Sequence, residues 1–216
     1  MKQSTEAKVE TLLNRYPKLR NCEQEILAAI EQMIVAYKNG GRLLVCGNGG
    51  SAADSMHIVG ELMKGFVLTR TLPEALQEAL YNVAPDCAQY LIENLQCALP
   101  AVSLVSEAAL STAYANDKAP NLVFAQQVLG QGKKGDVLLV ISTSGNSANV
   151  LYAAQVAKAL GISVIGLTGA GGGKMKKWSD TLIAVPETET FMIQELHLPI
   201  YHGICLALEE EFFGGE

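Results

Sequence analysis

The sequence predicts an α/β domain, a three-layer sandwich around a parallel sheet of five strands. Two observations carry that prediction. Five short apolar runs, LLVC at 43–46, AVSLV at 101–105, VLLVI at 137–141, SVIGL at 163–167 and TLIAV at 181–185, lack the polar alternation of a half-exposed sheet, so both faces of each strand must be covered. The runs are separated by glycine or serine and then by stretches of helical period, the alternation that a doubly wound sheet requires. With 216 residues, 49% apolar and 18% charged, the chain has material for one domain, 1–216, with a sizeable core.

Residues 1–41 read as helices preceding the sheet. A weaker helical pattern runs around Val9 to Tyr16. Asn21 and Gln24 then take capping-box spacing, and Ile26, Leu27, Ile30, Ile34 and Tyr37 recur at helical intervals until Asn39-Gly40-Gly41 stops them. Together they predict a helical hairpin. The first strand leads through GNGGSAAD into a helix. Residues 71–98 form a helical insertion between the first two strands, longer than one crossover helix needs, and are expected to act as a lid or an interface element. The third strand leads through STSGNS into a helix that runs to Gly161. The last segment, 190–213, has helical period with Pro199 inside it, so a kink is expected near residues 195–199.

Composition excludes several classes. A formal charge of −6 argues against a nucleic-acid surface, which needs a basic face, and the pairs Lys133-Lys134 and Lys176-Lys177 are too short to make one and read as solvated turn residues. Cys22, Cys46, Cys87, Cys97 and Cys205 are odd in number, scattered and never in C-x-x-C spacing, so they are expected to be small core residues in a reducing compartment. The N-terminus MKQSTEAKVE is polar, and no apolar run reaches the roughly 18 to 20 residues that span a bilayer. The expected location is cytoplasmic, with no membrane partner.

Gly47, Gly49 and Ala52 have the G-x-G-x-x-A spacing of a dinucleotide loop. Such a loop needs a first βαβ unit of about 30 residues and an acidic residue about 20 positions on, closing the second strand. Here the second strand begins near residue 101, so that context is missing. The other phosphate-type loop holds Ser142, Thr143, Ser144 and Ser147 around Gly145 at a helix start, where outward N–H groups and the helix dipole favour an anion. A simple cap would need one hydroxyl. Both loops are expected to face one crevice at the carboxyl ends of the first and third strands.

The three histidines add a second constellation. His57 and Glu61 are spaced i, i+4 on the helix after the first loop, hence on one face. Gln194, Glu195, His197 and His202 sit in the otherwise apolar last segment, where polar groups must find partners. The set has donors for Zn²⁺, although the spacing matches no standard zinc motif. It equally suits proton transfer beside a sugar carbonyl.

CGNGGSAADSMH with Glu61, ISTSGNSANV, LTGAGGGKM and IQELHLPIYH, spread over most of residues 20–212, resemble the sugar isomerase (SIS) domains of the phosphoheptose isomerase type. The resemblance implies a sheet of flavodoxin-like order and a homotetramer with active sites between subunits. It implies a phosphorylated sugar held by Asn48, Gly49, Gly50, Ser51, Glu61, Asn116, Asp117, Ser142, Thr143, Ser144, Ser147 and Gln194. His57, Glu61, Gln194 and His202 would bind Zn²⁺, Glu61 would be the base and His202 the acid. The implied reaction converts sedoheptulose 7-phosphate to D-glycero-D-manno-heptose 7-phosphate through an enediol.

There are departures from the family pattern. Lys64, in LMKGF, stands where an arginine is usual, Phe191 replaces an acidic residue, 71–98 lacks a counterpart in compact members, and Pro199 falls between two implied ligands. The competing reading is a non-catalytic SIS scaffold of the replication-initiator-associating type, or a sugar-phosphate sensor. Retention of His57, Glu61, Gln194 and His202 favours the enzyme.

Overall fold

The computed structural model describes residues 1–215. Five strands, β1 (Leu43–Gly47), β2 (Ala101–Ser103), β3 (Val137–Ile141), β4 (Ser163–Gly169) and β5 (Thr181–Val185), pair in parallel in the order β2-β1-β3-β4-β5. All five apolar runs are strands, the second shorter than its run. The register sets Leu43 beside both Ala101 and Val137, and Gly47 beside Ile141.

The three layers follow from the period of two along each strand. Leu43, Val45, Val137, Leu139 and Ile141 turn to one face and join a core with α1 (Gln3–Arg15), α2 (Glu23–Lys38), α3 (Gly50–Met63) and α9 (Thr190–Phe213). Leu44, Cys46, Leu138 and Val140 turn to the other, under α7 (Val123–Gln131) and α8 (Ala148–Ala159). Right-handed crossovers that step in opposite directions from the β1–β3 pair must place their helices on opposite faces. The loops after β1 and β3 therefore part, and a crevice opens at their carboxyl ends.

Several elements differ from expectation. The capping box at Asn21 does not form: Asn21 lies in a 3-10 turn, Pro17–Cys22, and α2 begins at Glu23 without a side-chain cap. The hairpin is loose, because α1 packs chiefly on α9, where Gly203 lets Leu12 approach so closely that a Cβ would lie 2.6 Å from its methyl. Lys2 N–H and Thr5 Oγ1–H both donate to Glu211 on α9, tying the two ends of the chain together. Cys22, Cys46 and Cys205 are buried as expected, but Cys87 is exposed and Cys97 half-buried.

Residues 71–98 form α4 (Glu74–Val83) and α5 (Ala88–Asn94), which bury only Ala88 between them. The stretch after β2 forms α6 (Ala108–Asp117), with no buried residue. α9 runs unbroken through Pro199. Proline removes one backbone donor, which would otherwise reach the carbonyl of Glu195, a residue on the exposed side of the helix. Among the described residues no helix is long and apolar enough to cross a membrane.

Candidate active site

A cleft of about 300 Å³ lies between the loops after β1 and β3. Asn48, Gly49, Gly50 and Ser51 line one wall, Ser142, Thr143 and Ser147 the other, and Thr190 and Gln194 of α9 close it. Gly49 precedes α3 with φ 58° and ψ −121°, a backbone conformation that favours glycine. A Cβ on Gly50 would sit 2.5 Å from Gln194 Nε2, so a side chain there would push the Gln194 carboxamide out of its place. Ser147 occupies the N-cap of α8, yet its hydroxyl makes no capping bond. With the N–H groups of Ala148 and Asn149 at the start of α8, which have no partner among the described residues, that hydroxyl makes an anion cradle rather than a simple cap. A larger groove of about 450 Å³ between α1 and α2 is lined by Glu6, Glu10 and Glu23, whose carboxylates would repel phosphate.

The two loops are locked together by a pair the sequence reading missed. Asn48 Nδ2 donates to Asn149 Oδ1 at 2.9 Å, and Asn149 Nδ2 donates back to Asn48 Oδ1 at 2.8 Å. The only signal was that GNSAN after β3 resembles GNGGS after β1. Ser144 is not part of the lining; its hydroxyl accepts the N–H of Asn146 at 3.2 Å within the turn.

Seven residues along α3 from Gly50, about 10 Å by helical rise, the second constellation gathers. His57 Nε2 lies 3.1 Å from Glu61 Oε1, and Lys64 Nζ donates to Glu61 Oε2 at 2.9 Å. The His202 ring meets His57 edge-on with centroids 5.1 Å apart, and Phe66 covers it from another side. Burial holds His202 below the usual histidine range, with His57 adding to the effect, so it is neutral at neutral pH. His57 Nδ1 is 3.1 Å from Tyr201 Oη, which is 3.3 Å from Asp54 Oδ1. Burial pushes the Asp54 carboxyl up, and burial together with Asp54 pushes the Tyr201 hydroxyl up.

His57, Glu61 and His202 are thus brought together as expected, while Gln194, placed with them by the resemblance, lies in the cradle against Gly50. Eight residues of α9, about 12 Å of rise, separate it from His202. Asn116 and Asp117 are exposed at the end of α6, bonded to each other at 2.8 Å, and do not line the cleft of their own chain. His197, another member of the polar run, is a core residue: burial pushes its imidazole down to about 4, leaving it neutral. Phe191 faces solvent.

For a metal, the donor chemistry is suitable: two imidazoles and a carboxylate are neighbours through His57, and His202 Nε2 is buried without a partner among the described residues. Among the described residues no three His, Cys, Asp or Glu side chains converge on one point, and Lys64 holds one oxygen of Glu61.

A parallel sheet of this order, with an anion cradle at its switch point and an imidazole–carboxylate cluster about two helical turns away, defines a sugar-phosphate-binding α/β domain. The SIS domain family model matches residues 7–83 and 88–169. The phosphoheptose isomerase of Rhodospirillum rubrum is 37% identical over 210 residues, 97% of this chain and 98% of the relative. Solved phosphoheptose isomerases from Neisseria gonorrhoeae and Francisella tularensis are similar in structure, with TM-scores of 0.70 and 0.74 at 32% and 31% identity. The first match covers 96% of this chain and 92% of the other, the second 93% and 94%. The chain belongs to the SIS domain family, among its phosphoheptose isomerases.

Proposed function

We propose that this chain converts sedoheptulose 7-phosphate to D-glycero-D-manno-heptose 7-phosphate, a ketose–aldose isomerisation. The observation that carries the reading is the placement of the two sites on one pair of helices: Gly50 of α3 meets Gln194 of α9 at the cradle, and His57 meets His202 further along both. A phosphate seated between Ser51 and Ser147 would point the far end of an extended sugar along α3 towards His57 and Glu61. In the open-chain ketose, Glu61 takes a proton from C1, the C2 carbonyl oxygen gains one to give the enediol, and the carboxyl returns its proton to C2. Glu61 is suited to this because its side chain is only 13% exposed yet held by two neighbours. His202, neutral and half-buried, passes a proton between the two oxygens.

Zn²⁺ belongs to the same proposal, held by His57, Glu61 and His202; when bound it would polarise the carbonyl in place of the His202 proton transfer, while Gln194 stays with the cradle. The reading includes a cytoplasmic homotetramer, in which the exposed Asn116–Asp117 pair is available to a neighbouring subunit's sugar. A screen of five- to seven-carbon ketose phosphates with zinc analysis of the same preparation tests it. Turnover of the seven-carbon ketose, about one zinc per chain and a loss of at least about 100-fold in Glu61→Gln are expected. A folded protein that binds a ketose phosphate and turns over none would transfer the reading to a sensor or scaffold.

A further inference from the structure

Neither Tyr201 nor Asp54 has a part in the chemistry above, yet both stand directly behind His57. The phenol oxygen bridges them, 3.1 Å from His57 Nδ1 and 3.3 Å from Asp54 Oδ1. A phenol has one hydrogen to donate, and an ionised carboxylate has none. Among the described residues Tyr201 is the only hydrogen-bond donor to the Asp54 side chain. If the phenol hydrogen pointed at His57 instead, a half-buried carboxylate would face an oxygen lone pair, which costs the desolvation of both groups without return.

We infer that Tyr201 is a positioning residue: its hydroxyl donates to Asp54 and accepts from His57 Nδ1–H, fixing His57 in the tautomer whose bare Nε2 faces Glu61. The direction of this relay decides what His57 offers the site. With hydrogen on Nδ1, the lone pair of Nε2 and the carboxylate oxygen of Glu61 face each other at 3.1 Å, two acceptors whose contact is costly unless a cation or a proton fills it. That pair invites a cation or a mobile proton between them. With the hydrogen on Nε2 the imidazole would merely satisfy Glu61 and be a poor ligand. Outer partners that fix a histidine tautomer in this way commonly govern metal sites. Tyr201 is itself held, being buried on α9 with its ring edge-on to both His57 and His202.

The inference rests on the assignment of His57 and Glu61 to the reacting end of the site, and its test is chosen to be readable without turnover. Nitrogen-15 shifts and long-range proton–nitrogen correlations of the three histidines report the tautomer in the protein as purified. The wild-type His57 is expected to carry its hydrogen on Nδ1. In Asp54→Asn the new carboxamide donates to the phenol oxygen, the phenol hydrogen turns to His57, and the imidazole hydrogen is expected to move to Nε2. Tyr201→Phe is expected to lose the Nδ1–H preference. It should also weaken zinc binding, read by chelator competition, by about 10- to 100-fold, and lower kcat by a similar factor with KM held. A wild-type His57 with hydrogen on Nε2 overturns the inference, as does a Tyr201→Phe protein whose tautomer and zinc affinity are unchanged. A chain inactive on every ketose phosphate would still return the tautomer, so failure of the isomerase reading is seen separately.

Discussion

Ser147 and Ser144 are three residues apart in one loop, and the structure gives them different work. Ser147 lines the cleft at the start of α8 with its hydroxyl uncommitted, whereas Ser144 uses its hydroxyl inside the turn. Ser147→Ala should therefore raise KM by roughly 10- to 100-fold, the loss of one hydrogen bond to a charged group being about 1.5–3 kcal/mol. Ser144→Ala should leave KM within about twofold, as a surface substitution does. Steady-state kinetics of the two variants check this, and equal effects would place the phosphate elsewhere. Composition alone could not separate the two serines, because both are hydroxyls at a helix start. His57 and Glu61 were legible, since i, i+4 spacing fixes their shared face before any packing is known. Tyr201, Asp54 and Asn149 were not, because their contacts are made between elements more than 100 residues apart.

At the scale of elements, α9 does more than supply His202. Glu209 is fully buried and accepts the N–H groups of Phe66, Val67 and Leu68 and the Nε–H of Arg70, whose guanidinium in turn donates to the Leu62 and Glu61 carbonyls at the end of α3. Helix α3 is therefore held in register with α9 by a buried ion pair. Two residues on, Glu211 takes Lys2 N–H, Thr5 and Lys38. Burial alone would raise its carboxyl, but the Lys2 N–H and Thr5 bonds, with Lys38, outweigh that and hold it down to about 2, against an ordinary 4.5.

A depressed folded-state pKa stabilises the fold fully above the unfolded value, and the contribution fades as pH falls from there through the folded value. Glu211→Gln should thus lower Tm at pH 7, with the difference from wild type shrinking between about pH 4.5 and pH 2. Thermal melts across that range test it; a difference constant with pH would remove the charge from the account. The strands were readable because buried parallel strands are written as plain apolar runs. The helix ends were less so: Asn21 and Gln24 have the right spacing, but Pro17 starts a 3-10 turn that carries Asn21 past the cap position.

For the whole molecule, the charge is unevenly placed. Residues 71–117 carry Glu74, Glu78, Asp86, Glu93, Glu107 and Asp117 and no lysine or arginine, so the net −6 of the chain resides there. The same stretch exposes Leu76, Tyr81, Val83 and Tyr90, with Val83 83% and Tyr90 68% accessible, on helices that bury almost nothing of their own. Helices of 10 and 7 residues are marginal in isolation and draw their stability from packing. An apolar surface of this kind marks a contact. The tetramer of the proposed function would supply the contact, while a lid over the sugar would need it only during turnover.

Light scattering separates the two: the tetramer predicts a mass four times the 23.0 kDa chain. Paired Val83→Asp and Tyr90→Asp changes should lower that mass while far-UV circular dichroism stays unchanged, because neither side chain belongs to the core. An intact tetramer with raised KM would assign α4 and α5 to closing over the substrate instead.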